Sequence, residues 1–127
     1  MEFAQVSVCR SILIVRALRP RPTEAEFART IALCESAYTS MQRPFVLAMD
    51  LMDMEEVSVP QALAWMAMFL RVMPTTKRFL VCTCACFPPS LKNAVDLFLK
   101  LYDPVKPFLT CSTREEMDLR AKHAADP

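Results

Sequence analysis

The hydrophobic pattern alternates between short apolar runs and longer segments whose apolar positions have helical spacing. Five runs have the length and composition of strands, and they cover residues 3–8, 12–18, 45–51, 78–86 and 106–111. The first two are separated by residues 9–11, which predicts a hairpin. A two-residue turn there would favour Asn-Gly, so we expect the connection to be longer or strained.

The segments between these runs predict four helices. A Ser or Thr followed three residues later by Glu or Gln is the pattern of a capping box, and it occurs at Thr23/Glu26, Ser58/Gln61 and Thr113/Glu116. Ser90 is the expected cap of the remaining helix. The helix that begins at Ser58 is expected to run to about Met73, because Pro74 cannot continue it.

The predicted element order is β-β-α-β-α-β-α-β-α, which favours an α/β domain with right-handed crossovers. We expect a five-stranded mixed sheet whose first strand is antiparallel to its neighbour. Residues 1–127 are expected to form a single domain, with residues 122–127 as a frayed tail.

Composition narrows the possible functions. The chain has no glycine in 127 residues, which excludes the standard glycine-dependent phosphate loops, nucleophile elbows and EF-hand loops. A net charge of +1 argues against a general nucleic-acid binder. No apolar run is long enough to span a bilayer, and the N-terminus is not that of a signal peptide. We therefore expect a binding or regulatory module that is not an enzyme and needs no cofactor.

The six cysteines form no CxxC pair, which is typical of a reducing, cytoplasmic protein. Cys82, Cys84 and Cys86 alternate along one predicted strand and should face the same side of the sheet. A zinc site would need ligands from other segments, and the chain's one histidine, His123, is near its end. Buried structural thiols are the favoured interpretation, with a metal or redox role as the alternative.

Acidic residues cluster after the strand 45–51, where α/β sheets commonly bind ligands. They are Asp50, Asp53, Glu55 and Glu56. A solvated loop before a helix N-terminus is the simpler interpretation. Acid–base chemistry or binding of a divalent ion is the alternative.

The helix 58–73 is apolar on two sides. One stripe contains Leu63, Met66, Ala67, Leu70 and Met73, and the other contains Trp65, Met68, Phe69 and Val72. Such a helix is either buried or in contact with a partner. Core packing, a protein partner or second copy, and an apolar ligand remain alternatives. The predicted binding surface is Asp53, Glu55, Glu56, Ser58, Trp65, Met68, Phe69 and Val72.

The segments FVLAMDLMDMEEVSVPQALAWM and PVKPFLTCSTREEM, within the whole pattern, resemble the STAS family of anti-sigma factor antagonists. The resemblance implies a STAS-like fold and a non-catalytic interaction module. In that family an Asp-Ser pair before the second helix is followed by glycine, and its serine is phosphorylated. The matching positions here are Ser58, Val59 and Gln61, which implies a module without the phosphoserine switch. A homodimer through the Trp65 stripe is the most concrete form of this expectation.

A second resemblance is to CRAL-TRIO lipid-transfer domains. Met73-Pro74, Lys77-Arg78, FLVCTCACFPP and LKNAVDLFLKLYDPVKP are similar to segments of that family. This resemblance implies, as the alternative function, an enclosed pocket for a lipid or another apolar ligand.

Overall fold

A computed structural model describes residues 3–126 and confirms the predicted α/β class with a five-stranded mixed sheet. The strands are β1 Ala4–Cys9, β2 Ile12–Ala17, β3 Phe45–Asp50, β4 Leu80–Cys86 and β5 Phe108–Cys111. They lie in chain order across the sheet. The strand β1 is antiparallel to β2, as expected, and every other neighbouring pair is parallel.

The described helices are α1 Glu24–Thr39, α2 Val59–Arg71, α3 Met73–Phe79, α4 Lys92–Tyr102 and α5 Arg114–Ala125, with a short 3-10 turn at Pro89–Leu91. Two of the predicted capping boxes are complete. The Thr23 hydroxyl accepts a hydrogen bond from the Glu26 amide at 3.1 Å, and the Thr23 amide donates to the Glu26 carboxylate at 2.8 Å. Ser58 and Gln61 exchange the same pair of bonds at 3.2 and 3.1 Å.

The third capping box forms only in part. The Thr113 hydroxyl accepts from the Glu116 amide at 3.1 Å, but the Glu116 carboxylate accepts from the Ser112 amide instead of the Thr113 amide. The prediction for Ser90 was wrong, because this residue lies inside the 3-10 turn and its hydroxyl donates to the Glu55 carbonyl at 2.9 Å.

The helix α2 ends at Arg71, close to the predicted end near Met73, but the sequence did not predict the separate helix α3 that follows it. Pro74 lies in the first turn of α3, where a missing N–H leaves no intrahelical bond unmade. The helix α3 therefore occupies Met73–Phe79, and β4 begins at Leu80 instead of Arg78. The last helix, α5, continues to Ala125, so residues 122–125 of the predicted tail are helical.

The β1–β2 hairpin turns through Arg10 and Ser11, and Cys9 pairs with Ile12. Arg10 has φ of 56°, which is the left-handed region that glycine or asparagine adopts most easily. The connection is therefore short and strained.

The sheet separates two apolar layers. On one face α1, α2 and α4 cover strand residues that include Leu13, Val15, Phe45 and Leu47. On the other face Met117 and Ala121 of α5 pack over a layer made from β3, β4 and β5, which consists of Val46, Ala48, Cys82, Cys84, Cys86 and Cys111. The three cysteines of β4 do share one face, as their alternation predicts.

Candidate functional site

Three residues of the predicted binding surface lie in the core. Met68, Phe69 and Val72 are 0%, 3% and 1% exposed, and Trp65 is half-buried. The structure therefore corrects their assignment to a surface: this stripe of α2 faces the interior of its own chain.

A cluster of aromatic rings explains why this stripe is the buried one. The Phe69 ring lies 5.7 Å from the ring of Phe98 and 5.4 Å from that of Tyr102, between centroids. It also meets Tyr38 edge-on at 6.3 Å and stacks with Trp65 at 5.9 Å. Aromatic pairs in these geometries add to the stabilisation from burial. The cluster holds α1, α2 and α4 together.

The other stripe of α2 lies on the surface. Val59, Leu63 and Leu70 are 63%, 45% and 55% exposed, and Met66 is half-buried between them. Every residue of α2 before Arg71 is uncharged. Sequence reasoning found this stripe but assigned the surface to the opposite one.

Neighbouring leucines of α4 extend this apolar surface. Leu97 and Leu101 are 46% and 55% exposed. They line a shallow groove of about 30 Å³ between the two helices, together with Val59, Ala62, Leu63, Met66 and Phe98. We call these seven residues the outer groove. Exposed apolar surface of this kind marks contacts with other molecules.

A wider groove of about 400 Å³ lies between α1 and α2 and is bordered by the charged residues Glu24 and Arg71. The Arg71 guanidinium donates two hydrogen bonds to one oxygen of the Glu35 carboxylate, at 2.7 Å from Nη2 and 3.2 Å from Nε. This bonding lowers the pKa of the Glu35 carboxyl. Because Arg71 is used to join α1 to α2, this groove is less suited than the outer groove to an apolar contact.

The acidic loop is exposed, and its carboxylates face arginines. The Asp53 carboxylate forms an ion pair with the Arg114 guanidinium at 2.9 Å. The carboxylates of Glu55 and Glu56 lie 3.5 and 3.8 Å from the Arg21 guanidinium. The hydroxyl of Ser58 is occupied in capping α2. This acidic loop, residues 53–58, lies directly before the exposed start of α2 at Val59.

Asp50 is separate from this loop, because its side chain is fully buried at the end of β3. Its Oδ2 accepts from Nε of Arg16 at 3.1 Å and from Nε of Arg114 at 2.7 Å. Its Oδ1 accepts from the Met52 amide at 3.2 Å and from the Cys86 thiol at 3.6 Å. The pKa of Arg114 is raised by its hydrogen bonds to Asp53 and Asp50. Asp50 therefore ties together β2, β3, β4 and α5.

Sequence reasoning missed both arginine partners of Asp50. A signal was present, since Arg16 lies at the end of one predicted strand and Arg114 directly follows the capping residue Thr113. The carboxyl ends of parallel strands meet at one edge of the sheet, so basic residues at these positions can reach a carboxylate at the end of a neighbouring strand.

The thiols beneath α5 are held in their neutral form. Burial is the main cause that raises the pKa of Cys84 and of Cys86 to about 12, and it also raises the pKa values of Cys82 and Cys111. Metal binding and redox chemistry both use the thiolate. Among the described residues no three His, Cys, Asp or Glu side chains have an arrangement that could hold a metal ion. The arrangement supports a packing role for these cysteines.

An apolar cavity lies between the sheet, α2 and α4. Its lining includes Met49 and Ala85 of the sheet, Trp65 and Phe69 of α2, and Val95 of α4. Its volume is about 60 Å³, well below the roughly 150 Å³ of an engineered apolar cavity that binds benzene. The cavity therefore gives no support to the alternative of a bound lipid.

No protein-family model matches the chain, and no curated protein matches it either. Its structure is similar to the crystal structure of an uncharacterized protein of the DUF3478 family with a SpoIIAA-like fold, from Shewanella loihica PV-4. The TM-score is 0.65 at 14% identity, over 93% of this chain and 91% of the other. This similarity confirms the expected STAS-like fold. Among the described residues, every helix is too short or too polar to cross a membrane.

Proposed function

We propose that this protein is a non-catalytic interaction module of the STAS type, and that it binds a protein partner through the outer groove. The observation that carries the proposal is the exposure of Val59, Leu63, Leu97 and Leu101 side by side on two neighbouring helices. Their burial against a partner would contribute a gross stabilisation of roughly 25 cal/mol for each Å² of apolar surface removed from water, which the entropic cost of association partly offsets.

The acidic loop 53–58 forms one border of this contact surface. Asp53, Glu55 and Glu56 remain largely exposed while facing arginines of their own chain. Exposed ion pairs of this kind contribute little to stability, so their carboxylates are available to orient a partner that carries basic residues.

The module works without a phosphoserine switch. At the position that matches the phosphorylated serine, this chain has Val59, whose side chain is 63% exposed and has no hydroxyl. The adjacent Ser58 caps α2 through its hydroxyl. In this proposal an apolar contact that begins at Val59 takes the place of the switch.

We place the module in the cytoplasm. All six cysteines are free, and five of them are buried, which fits a compartment that keeps thiols reduced.

The test compares interaction partners in the cells of origin by proximity labelling. The double variant Leu63→Asp/Leu97→Asp places two charges in the outer groove, where both native side chains are about half exposed and the fold should persist. The matched control is Leu119→Asp, because Leu119 is 71% exposed on α5, on the opposite face of the sheet.

The proposal expects a reproducible partner that the double variant loses and the control keeps. The purified partner should then bind the wild type, with affinity reduced roughly a hundredfold in the double variant. Identical sets of partners for the wild type and the double variant would overturn the proposal.

A further inference from the structure

We propose that a second copy of this chain occupies the outer groove, with α4 of one copy antiparallel to α4 of the other. This inference rests on the proposed function, because it uses the same surface and names the partner. It replaces the dimer expected through the Trp65 stripe with one through the opposite side of α2 and the exposed side of α4.

The helix α4 is incompletely covered in a single chain. None of its residues is fully buried, although Val95, Phe98 and Tyr102 contact the core. Leu97 and Leu101 are about half exposed and lie one turn apart, so they form a short apolar row on the outer side of the helix. A second helix laid along this row would complete the burial.

Charges beside this row select the occupant. Asp96 and Lys100 are also one turn apart, each next to one of the two leucines, and both are exposed. Asp96 makes an exposed contact of 3.3 Å with Lys92. Among residues 3–126, Lys100 has neither a hydrogen bond nor an ion pair.

An antiparallel arrangement about a two-fold axis makes these charges self-complementary. If the axis crosses α4 near Phe98, Asp96 of each copy lies opposite Lys100 of the other, and the leucine rows of the two copies meet between these pairs. A parallel arrangement about a two-fold axis would instead place the charged rows of the two copies on opposite sides of the contact, where they do not meet. Two-fold pairing of one surface with itself is the commonest form of association between identical chains. The self-complementary pattern therefore favours a second copy over an unrelated helix.

Two single variants and their mixture test the proposal. In the variant Asp96→Lys, residues 96 and 100 are both positive. In the variant Lys100→Asp, residues 96 and 100 are both negative. Each variant alone should dimerise at least roughly tenfold more weakly than the wild type at low salt. An equimolar mixture should form a heterodimer, because each positive position then meets a negative one. Sedimentation velocity of the wild type, each variant and the mixture measures these states.

The double variant Asp96→Lys/Lys100→Asp is the matched control, since it exchanges the charges and restores complementarity between identical copies. It should dimerise about as well as the wild type. Circular dichroism of every variant checks that α4 remains helical, so that weaker association is not the result of unfolding.

A wild type that remains monomeric at high micromolar concentration would overturn this inference. So would a dimer that both single variants leave unchanged. If the chain is monomeric and Leu63→Asp/Leu97→Asp still loses a cellular partner, the proposed function stands and only the identity of the occupant fails.

Discussion

The backbone of Arg10 shows how a chain without glycine makes its tight turns. Arg10 and Asp103 have φ of 56° and 52°, and they are the positive-φ residues of the described chain. Aspartate tolerates this region because its short side chain can form local hydrogen bonds, but arginine has no such compensation. The hairpin between β1 and β2 therefore keeps a residue in an unfavourable conformation.

We expect Arg10→Gly to stabilise the protein. Relief of the left-handed backbone is worth about 1–2 kcal/mol, and the greater freedom of glycine in the unfolded chain offsets part of it. The free energy of unfolding should rise by about 0.5–1 kcal/mol in urea denaturation.

Arg10→Ala is the control for this prediction, because it removes the same side chain but keeps a Cβ in the left-handed region. It should leave stability near that of the wild type. If glycine and alanine have equal effects, the conformation of Arg10 is not the source of the strain.

At the scale of elements, Asp50 fixes the position of α5 on the sheet. Its buried carboxylate is bonded to Arg114 at the start of α5 and to Arg16 in β2. A buried charge is tolerated only when it is paired, so loss of one arginine leaves the carboxylate incompletely compensated.

We expect Arg114→Met to lower the free energy of unfolding by about 2 kcal/mol. The cost is below that of breaking a fully buried pair, because Arg16 remains and the Arg114 side chain is already 40% exposed. Urea denaturation followed by circular dichroism measures the change.

Asp53→Asn provides the matched control, since it removes the other carboxylate that Arg114 contacts. The Asp53 side chain is 51% exposed, so this change should cost less than about 1 kcal/mol. Equal losses in the two variants would show that burial of Asp50 is not what makes its ion pair important.

For the whole molecule, local patterns predicted the sheet and most helix starts. The order of the strands follows from runs of neighbouring residues, and the caps at Thr23 and Ser58 depend on residues three positions apart. These were confirmed, whereas the helix α3 was not predicted. The orientation of α2 was not predictable in this way, because both of its stripes satisfy helical spacing. Contacts of Phe69 with the rings of Tyr38 in α1 and Tyr102 in α4 determine which stripe is buried. Likewise, the ion pairs of Asp50 were not predicted, because Arg16 and Arg114 are 34 and 64 residues away from it in sequence.

Because of its buried thiols, the whole fold should lose stability as pH rises into the alkaline range. Burial raises the pKa of Cys34 to about 12, whereas a thiol in an unfolded chain titrates near pH 8.5. Above that pH the unfolded state loses the proton while the folded state keeps it, so unfolding becomes easier as pH rises. The contribution is fully present below about pH 8.5 and is lost progressively as pH approaches 12.

Urea denaturation from pH 8 to pH 11 of the wild type and of Cys34→Ala tests this dependence. The variant should lose less stability over this interval, by about 1 kcal/mol or more, because one buried thiol no longer ionises on unfolding. The control is Cys9→Ala, which removes a cysteine that is exposed in the folded chain and should retain the slope of the wild type. If Cys34→Ala also keeps that slope, the Cys34 thiol is accessible to ionisation in the folded state, and the core beneath α1 is less tightly closed than its burial indicates.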